Sequence, residues 1–311
     1  MSVVETFLAA GPAAGARRDA IAGDASRRRY ERLHRPDQPP AILMDGRAEP
    51  QEALDRFVRL ARWLRDAGLA APGILQLDAD ARLAVIEDLG PTSLADLLDA
   101  GPNEEAILGA VDVLATLDRM DPPDGLDALT PERGAEMLKP LDWHTDGAAT
   151  RLAGPVRDAM ARLCPPPDRL ALRDFHAANV IWREDRVGSD RVGLLDFQDA
   201  ILAPPGYDLV SLLRDARRPL DPATDRTARQ RFQQETGQPD LGPALAMLGL
   251  QRNLRILGIF SRLAKRDGRS DYLRFVPITV GHLAADLAHP ALAEVARVVH
   301  EVLPDLQDAA P

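Results

Sequence analysis

Up to about residue 88, short apolar runs alternate with turn residues. Beyond it, apolar positions recur every three or four residues. Ala41-Ile42-Leu43-Met44-Asp45, Ile74-Leu75-Gln76-Leu77 and Leu83-Ala84-Val85-Ile86 read as strands, the last two joined by the acidic turn Asp78-Ala79-Asp80. A further strand is expected after the turn at Gly23-Asp24. Between the strands, Ala53, Leu54, Phe57, Val58, Ala61 and Leu64 form one apolar stripe, predicting a helix from Pro50 to about Ala67 that Gly68 and Pro72 end. In the second part, helices are predicted over Ser93–Ala100, Glu104–Met120, 151–163, Leu209–Ala216, Leu241–Lys265, 276–288 and 291–303. Thr92, Asn103 and Asp208 are their candidate caps.

Two apolar runs interrupt the helical region, Val180-Ile181-Trp182 and Val192-Gly193-Leu194-Leu195. Their polar link, Arg183 to Arg191, contains Gly188-Ser189, so the three pieces read as a hairpin. Asp174, delivered by the strand Arg169–Leu172, and Asn179 precede the hairpin; Asp196 follows it. A hairpin brings its ends together, so two carboxylates and an amide oxygen are expected at one mouth. Carboxylates that close repel unless a cation lies between them. An oxygen-only donor set suits a hard divalent ion, with magnesium and phosphate the best match. This is the pattern of phosphoryl transfer: Asp174 takes a hydroxyl proton, while Asn179 and Asp196 carry metal against nucleotide phosphates.

Composition narrows the alternatives. The 311 residues allow two domains, divided here at 88/89 into 1–88 and 89–311. A formal charge of −10 argues against a nucleic-acid surface, yet leaves room for a local nucleotide site. Cys164 is the only cysteine, which excludes an intrachain disulfide and suits a reducing, cytoplasmic setting. It precedes Pro165-Pro166-Pro167 and reads as a packed helix end. No signal peptide or membrane-length apolar run is seen, and the six histidines lack zinc-site spacing. Positive charge gathers at Arg27-Arg28-Arg29, where strand alternation would set Arg28 opposite its neighbours. Gly23 and Ser26 lie in the turn before it, suited to approach phosphate with backbone N–H groups. Glu87-Asp88-Leu89-Gly90-Pro91 breaks the strand pattern and reads as a hinge whose backbone at Glu87 and Leu89 can pair with adenine.

The chain resembles the aminoglycoside phosphotransferase and choline kinase group over nearly its whole length. The resemblance rests on Ala22–Ser26 with Arg28-Arg29-Tyr30, on Met44-Asp45 and on Glu87-Asp88-Leu89-Gly90. It rests further on Arg173-Asp174-Phe175-His176-Ala177-Ala178-Asn179, on Leu195-Asp196-Phe197-Gln198-Asp199-Ala200 and on Tyr207–Asp215. The last two blocks resemble those of the bacterial anomeric kinases of N-acetylmuramate and N-acetylglucosamine in cell-wall recycling. The resemblance implies an α+β, protein-kinase-like bilobal fold, with a small β-rich N-lobe and a larger, mostly helical C-lobe. It implies ATP and Mg2+ as cofactors and an amino sugar as acceptor; charge and the lack of a membrane-length run leave no nucleic-acid or membrane partner expected, and a monomer is expected. Asp174 is then the catalytic base, Asn179 and Asp196 the metal ligands, and Gly23, Ser26, Arg28, Arg29, Glu87 and Leu89 the ATP contacts. His176, Gln198, Asp199, Trp143 and Arg252 are the candidate sugar contacts. Aminoglycoside or choline/ethanolamine kinase activity, and a nucleotide-binding pseudokinase, are the alternatives. Two departures stand out. Leu172 occupies the place of a scaffold histidine, and the strand Ala41–Asp45 lacks the lysine that holds nucleotide phosphates. An arginine of the 27–29 run is the available substitute.

Overall fold

The computed structural model describes residues 2–21, 28–238 and 240–306. In chain order the main elements are α1 (Val3–Ala9), β1 (Arg17–Ile21), β2 (Arg29–His34), β3 (Ala41–Asp45), α2 (Gln51–Asp66), β4 (Ile74–Asp78), β5 (Leu83–Glu87), α3 (Leu94–Ala100), α4 (Glu104–Asp118), α5 (Pro131–Glu136), α6 (Ala148–Leu163), β6 (Arg169–Ala171), β7 (Val180–Trp182), β8 (Val192–Leu194), β9 (Ile201–Ala203), α7 (Tyr207–Leu213), α8 (Pro222–Thr236), α9 (Gly242–Asp267), α10 (Val276–Leu287) and α11 (Ala293–Val302). They fall into two compact units, residues 1–97 with 178–199, and residues 98–177 with 200–311. This partition differs from a division at 88/89, because the hairpin after Ala177 belongs to the first unit.

The first unit is built on an antiparallel sheet of order β1-β2-β3-β5-β4. Leu33, Ala41, Leu43, Leu83 and Val85 alternate onto one face and bury Val4, Phe7 and Leu8 of α1. Ser2 and Glu5 close a capping box at the start of α1. The stripe of α2 is buried as its spacing predicts. The β7–β8 hairpin pairs Val180 with Leu194 and Trp182 with Val192. It is tied down by amide bonds from Leu194 to the Ala70 carbonyl (2.8 Å) and from Trp182 to the Thr92 carbonyl (2.8 Å). Gly193 permits this: a Cβ there would sit 3.0 Å from Leu89 Cδ1 and 3.2 Å from Ile181 Cβ.

The second unit is mostly helical, with α4 packed on α8, α5 and α11 on α6, and α10 on α9. The short ladder of β6 and β9 pairs Leu170 with Leu202. Among the described residues no helix is long and apolar enough to cross a membrane.

Several local expectations need correction. Ser93, not Thr92, caps α3: its hydroxyl accepts from Asp96 N (3.1 Å), and the Asp96 carboxylate accepts from Ser93 N (2.8 Å). Asp208 lies inside α7, and Gly206 holds the cap position at φ +84°. The sequence pattern hides α8, which buries only Ala228 and Phe232 and so shows no apolar stripe. It also hides β1, an edge strand exposed along its length. Arg28 precedes β2 and is buried, while Arg29 opens the strand and is exposed. Gly23, Ser26 and Arg27 lie outside the described residues.

Candidate active site

In the first unit the hairpin closes and brings Asn179 to Asp196. Leu195 N donates to the Asn179 carbonyl (3.0 Å), closing the open end of the ladder. Asp196 then takes a left-handed conformation at φ +56°, a backbone that strains a residue bearing Cβ. Its exposed carboxylate accepts from both flanking amides, Gln198 Nε2 at 2.5 Å and Asn179 Nδ2 at 3.4 Å. Phe197 is fully buried and stacks on Phe57 of α2, with centroids 5.2 Å apart and planes 14° from parallel. That stack fixes the turn, so Asp196 points out while its neighbour anchors the backbone.

A cavity of about 490 Å³ opens at this turn, lined by Arg28, Glu49, Arg56, Asp196, Gln198 and Asp199. Arg28 is its buried cation. Its Nε donates to Glu49 (2.5 Å), its Nη2 to the Ala53 carbonyl (3.4 Å), and its guanidinium lies 5.9 Å from the Phe57 ring centre. Burial works against the charge, but Tyr30 and Glu49 more than offset it and leave Arg28 more firmly protonated than usual. Burial raises the Tyr30 phenol, despite its bond to Arg28; the charge of Asp196 adds to that rise. Tyr30 and Glu49 thus join the site. Tyr30 could be found only through its place beside the arginine run, and Glu49 carried no signal of its own.

Glu87 ends β5 with its carboxylate on Arg65 (2.9 Å) and Gly73 N (3.2 Å). Asp88 shapes the following bend by accepting from Gly90 N (3.0 Å) and Arg32 Nε (2.7 Å). Leu89 is buried there.

Asp174 belongs to the second unit, on the loop that leaves β6. That loop is held by α7. The buried Asp208 carboxylate accepts from Leu172 N (2.5 Å) and Arg173 N (3.0 Å), and Ser211 Oγ donates to the Arg173 carbonyl (3.1 Å). Arg173 is left-handed at φ +74°, which turns the chain sharply just before Asp174. His176 N then donates to the Asp174 carbonyl (3.0 Å). Burial pushes the Asp208 carboxyl up to about 7 against the pull of its two amide donors. Burial also lowers His176, keeping its imidazole neutral. Asp215 and Arg252, both buried, are charged neighbours of His176. Trp143 is different: it is 39% exposed at the end of a short 3-10 turn, and its carbonyl accepts from Lys265.

The structure therefore brings Asp196, Gln198, Asp199 and Arg28 around one cavity, with Asn179 bonded to Asp196. Separately, it gathers Asp174, His176, Asp208, Asp215 and Arg252. Cys164 is the packed end of α6, and burial raises its thiol to about 12.

Comparison with known proteins gives the family and the fold. A family model described as the phosphotransferase enzyme family matches residues 18–248. The N-acetylmuramate/N-acetylglucosamine kinase of Caulobacter vibrioides is 35% identical, with 93% of each chain covered. The protein of the same name from Pseudomonas aeruginosa is 31% identical, covering 89% of this chain and 86% of its own. Among solved structures, a choline/ethanolamine kinase family protein from Mesorhizobium loti superposes with a TM-score of 0.66 at 16% identity, covering 96% of this chain and 98% of the other. An AMP-bound spectinomycin phosphotransferase gives 0.63 at 13% identity, with coverage of 96% and 98%. Small β-rich and larger helical parts are thus those of the kinase-like fold, and the chain belongs to the phosphotransferase enzyme family.

Proposed function

We propose that this chain is an ATP-dependent sugar kinase that transfers the γ-phosphate to the anomeric hydroxyl of N-acetylmuramate and N-acetylglucosamine, in the cytoplasmic recycling of cell-wall sugars. The observation that carries this reading is the strained turn at Asp196, paired with Asn179 and anchored by Phe197, in a chain 35% identical to a kinase named for these sugars.

The donor set at the turn fits magnesium. Among the described residues no group of three or more His, Cys, Asp or Glu forms a metal cage. Magnesium needs none here, since it is commonly held by one or two carboxylates plus substrate phosphates. Asp196 offers a carboxylate and Asn179 an amide oxygen, and both amide groups now bonded to Asp196 can rotate to present oxygen. When bound, the ion neutralises charge on the β and γ phosphates. Arg28, held by Glu49, is the fixed cation for the phosphate chain; Arg29 lies exposed at the same end of β2. The backbone at Glu87 and Leu89 is our choice for adenine. Asp174 orients the sugar hydroxyl and accepts its proton, a role worth ~10²–10⁴ in rate. Asp208 keeps that loop in place. We take the active species to be the monomer.

The test is a panel of N-acetylmuramate, N-acetylglucosamine, kanamycin and choline with ATP and magnesium, read by phosphorus NMR. Anomeric phosphate on the acetylated sugars supports the proposal. Product on kanamycin or choline instead, or nucleotide binding with no transfer, overturns it. Asp174→Asn should abolish transfer while the ATP-induced thermal shift survives.

A further inference from the structure

Within the second unit, α7, α9 and α10 carry buried charges that are treated unequally. Arg214 is fully served: it meets Asp225 at 2.6 Å and Asp286 at 3.1 Å. Arg252 of α9 is 6% exposed, yet among the described residues no carboxylate lies within 4 Å of its guanidinium and no group hydrogen-bonds to it. Its charged neighbours are Asp174, Asp208, Asp215 and Arg255, with Tyr207 beside them. Around it other buried polar atoms also lack partners: Asp215 Oδ2, His282 Nδ1, and both Oδ1 and Nδ2 of the fully buried Asn253.

A guanidinium removed from water without a carboxylate is unfavourable for folding. The same neighbourhood shows that the fold can supply carboxylates when it needs them. An unpaired cation beside Asp174 is therefore a group waiting for an external anion or acceptor. The cations at this place are Arg252, Arg217 and Arg255, and the carboxylates are Asp174, Asp208 and Asp215. The histidines contribute none: burial lowers His176, and burial with Arg214 takes His282 down to about 4. Of the two sugars proposed above, only N-acetylmuramate carries an anion, the carboxylate of its lactyl ether. A planar guanidinium binds a carboxylate through two parallel N–H bonds.

We infer that Arg252 reads the lactyl carboxylate of N-acetylmuramate and sets the enzyme's preference for that acid over N-acetylglucosamine. This rests on the sugar-kinase reading, and the experiment separates the two. Compare kcat/KM for N-acetylmuramate, its methyl ester and N-acetylglucosamine in the wild-type chain and in Arg252→Met. The wild type should favour the free acid over its ester by at least ~10-fold, the size of one charge-assisted pair, and the variant should be indifferent between them. The ratio of N-acetylmuramate to N-acetylglucosamine should fall by the same factor. Because the unpaired charge is removed, the variant should melt at or above the wild-type temperature. Arg252→Lys should recover part of the preference for the acid. Equal losses on all three sugars, a lowered melting temperature with the preference intact, or a wild type blind to esterification would each make Arg252 structural and overturn the inference alone. A wild type that phosphorylates none of the sugars would remove the kinase proposal, and this inference with it.

Discussion

Replacing Asp208 by asparagine should separate stability from activity in opposite directions as pH changes. Asparagine has the shape of the neutral acid but cannot ionise. The Asp208 carboxyl is raised from 3.8 to about 7, which corresponds to ~4 kcal/mol against the charged form in the folded chain. For an acid raised on folding, the stabilising contribution is complete below the unfolded value and is lost as pH rises through the folded one. The wild type therefore loses up to ~4 kcal/mol between about pH 4 and pH 7, and Asp208→Asn does not. Against that, the asparagine amide faces one of the two backbone donors, Leu172 N or Arg173 N, and leaves it without an acceptor, a loss of about 1–3 kcal/mol at any pH. The variant should be less stable than the wild type near pH 4.5 and as stable or more stable near pH 8.5. Activity should run the other way. Wild-type kcat should rise through pH 7 as Asp208 ionises and grips both amides. The variant should lack that rise and turn over ~10–100-fold more slowly, as expected for a misplaced reactive group. Thermal melts and sugar turnover measured from pH 4.5 to 8.5 decide the matter. A stability difference that stays constant with pH would refute the burial argument. Wild-type turnover in the variant would refute the claim that α7 positions the Asp174 loop.

Other consequences are simpler. Asp196→Ala should lose the magnesium-dependent part of the thermal shift caused by ATP, and a full shift would remove Asp196 from the metal set. Arg28→Met should raise KM for ATP by ~10-fold or more with a smaller change in KM for sugar, as expected for loss of a charge-assisted bond to phosphate. An unchanged KM for ATP would leave Arg28 as a partner of Glu49 and nothing else. With its thiol raised to about 12, Cys164 should react with iodoacetamide at pH 8 about 10³-fold more slowly in the folded chain than in urea, a rate followed by mass spectrometry.

The parts of the molecule legible in sequence are those whose physics is local. The stripe of α2 and the two runs of the hairpin encode their own burial, so their positions and the meeting of Asn179 with Asp196 follow from spacing. Helix α8 is invisible because its attachment is polar: Arg231 bridges to Asp112 of α4 at 2.7 Å, and Asp225 to Arg214 after α7 at 2.6 Å. No apolar period reports such a helix. Asp208 reads as a cap because its partners, Leu172 and Arg173, lie more than thirty positions upstream. The missing lysine of β3 is a place where tertiary placement adds to what spacing leaves open. Met44 on β3 pairs in register with Tyr30 on β2, and the Tyr30 phenol interacts with the guanidinium of Arg28. Under the reading proposed above, the cation absent from β3 is supplied from just before its sheet neighbour β2, with Glu49 just before α2 as its counter-ion. Sequence could narrow the substitute to a run of three arginines. Of the two described arginines, Arg28 is buried and lines the Asp196 cavity while Arg29 is exposed, which is why the proposal above gives the phosphate contact to Arg28.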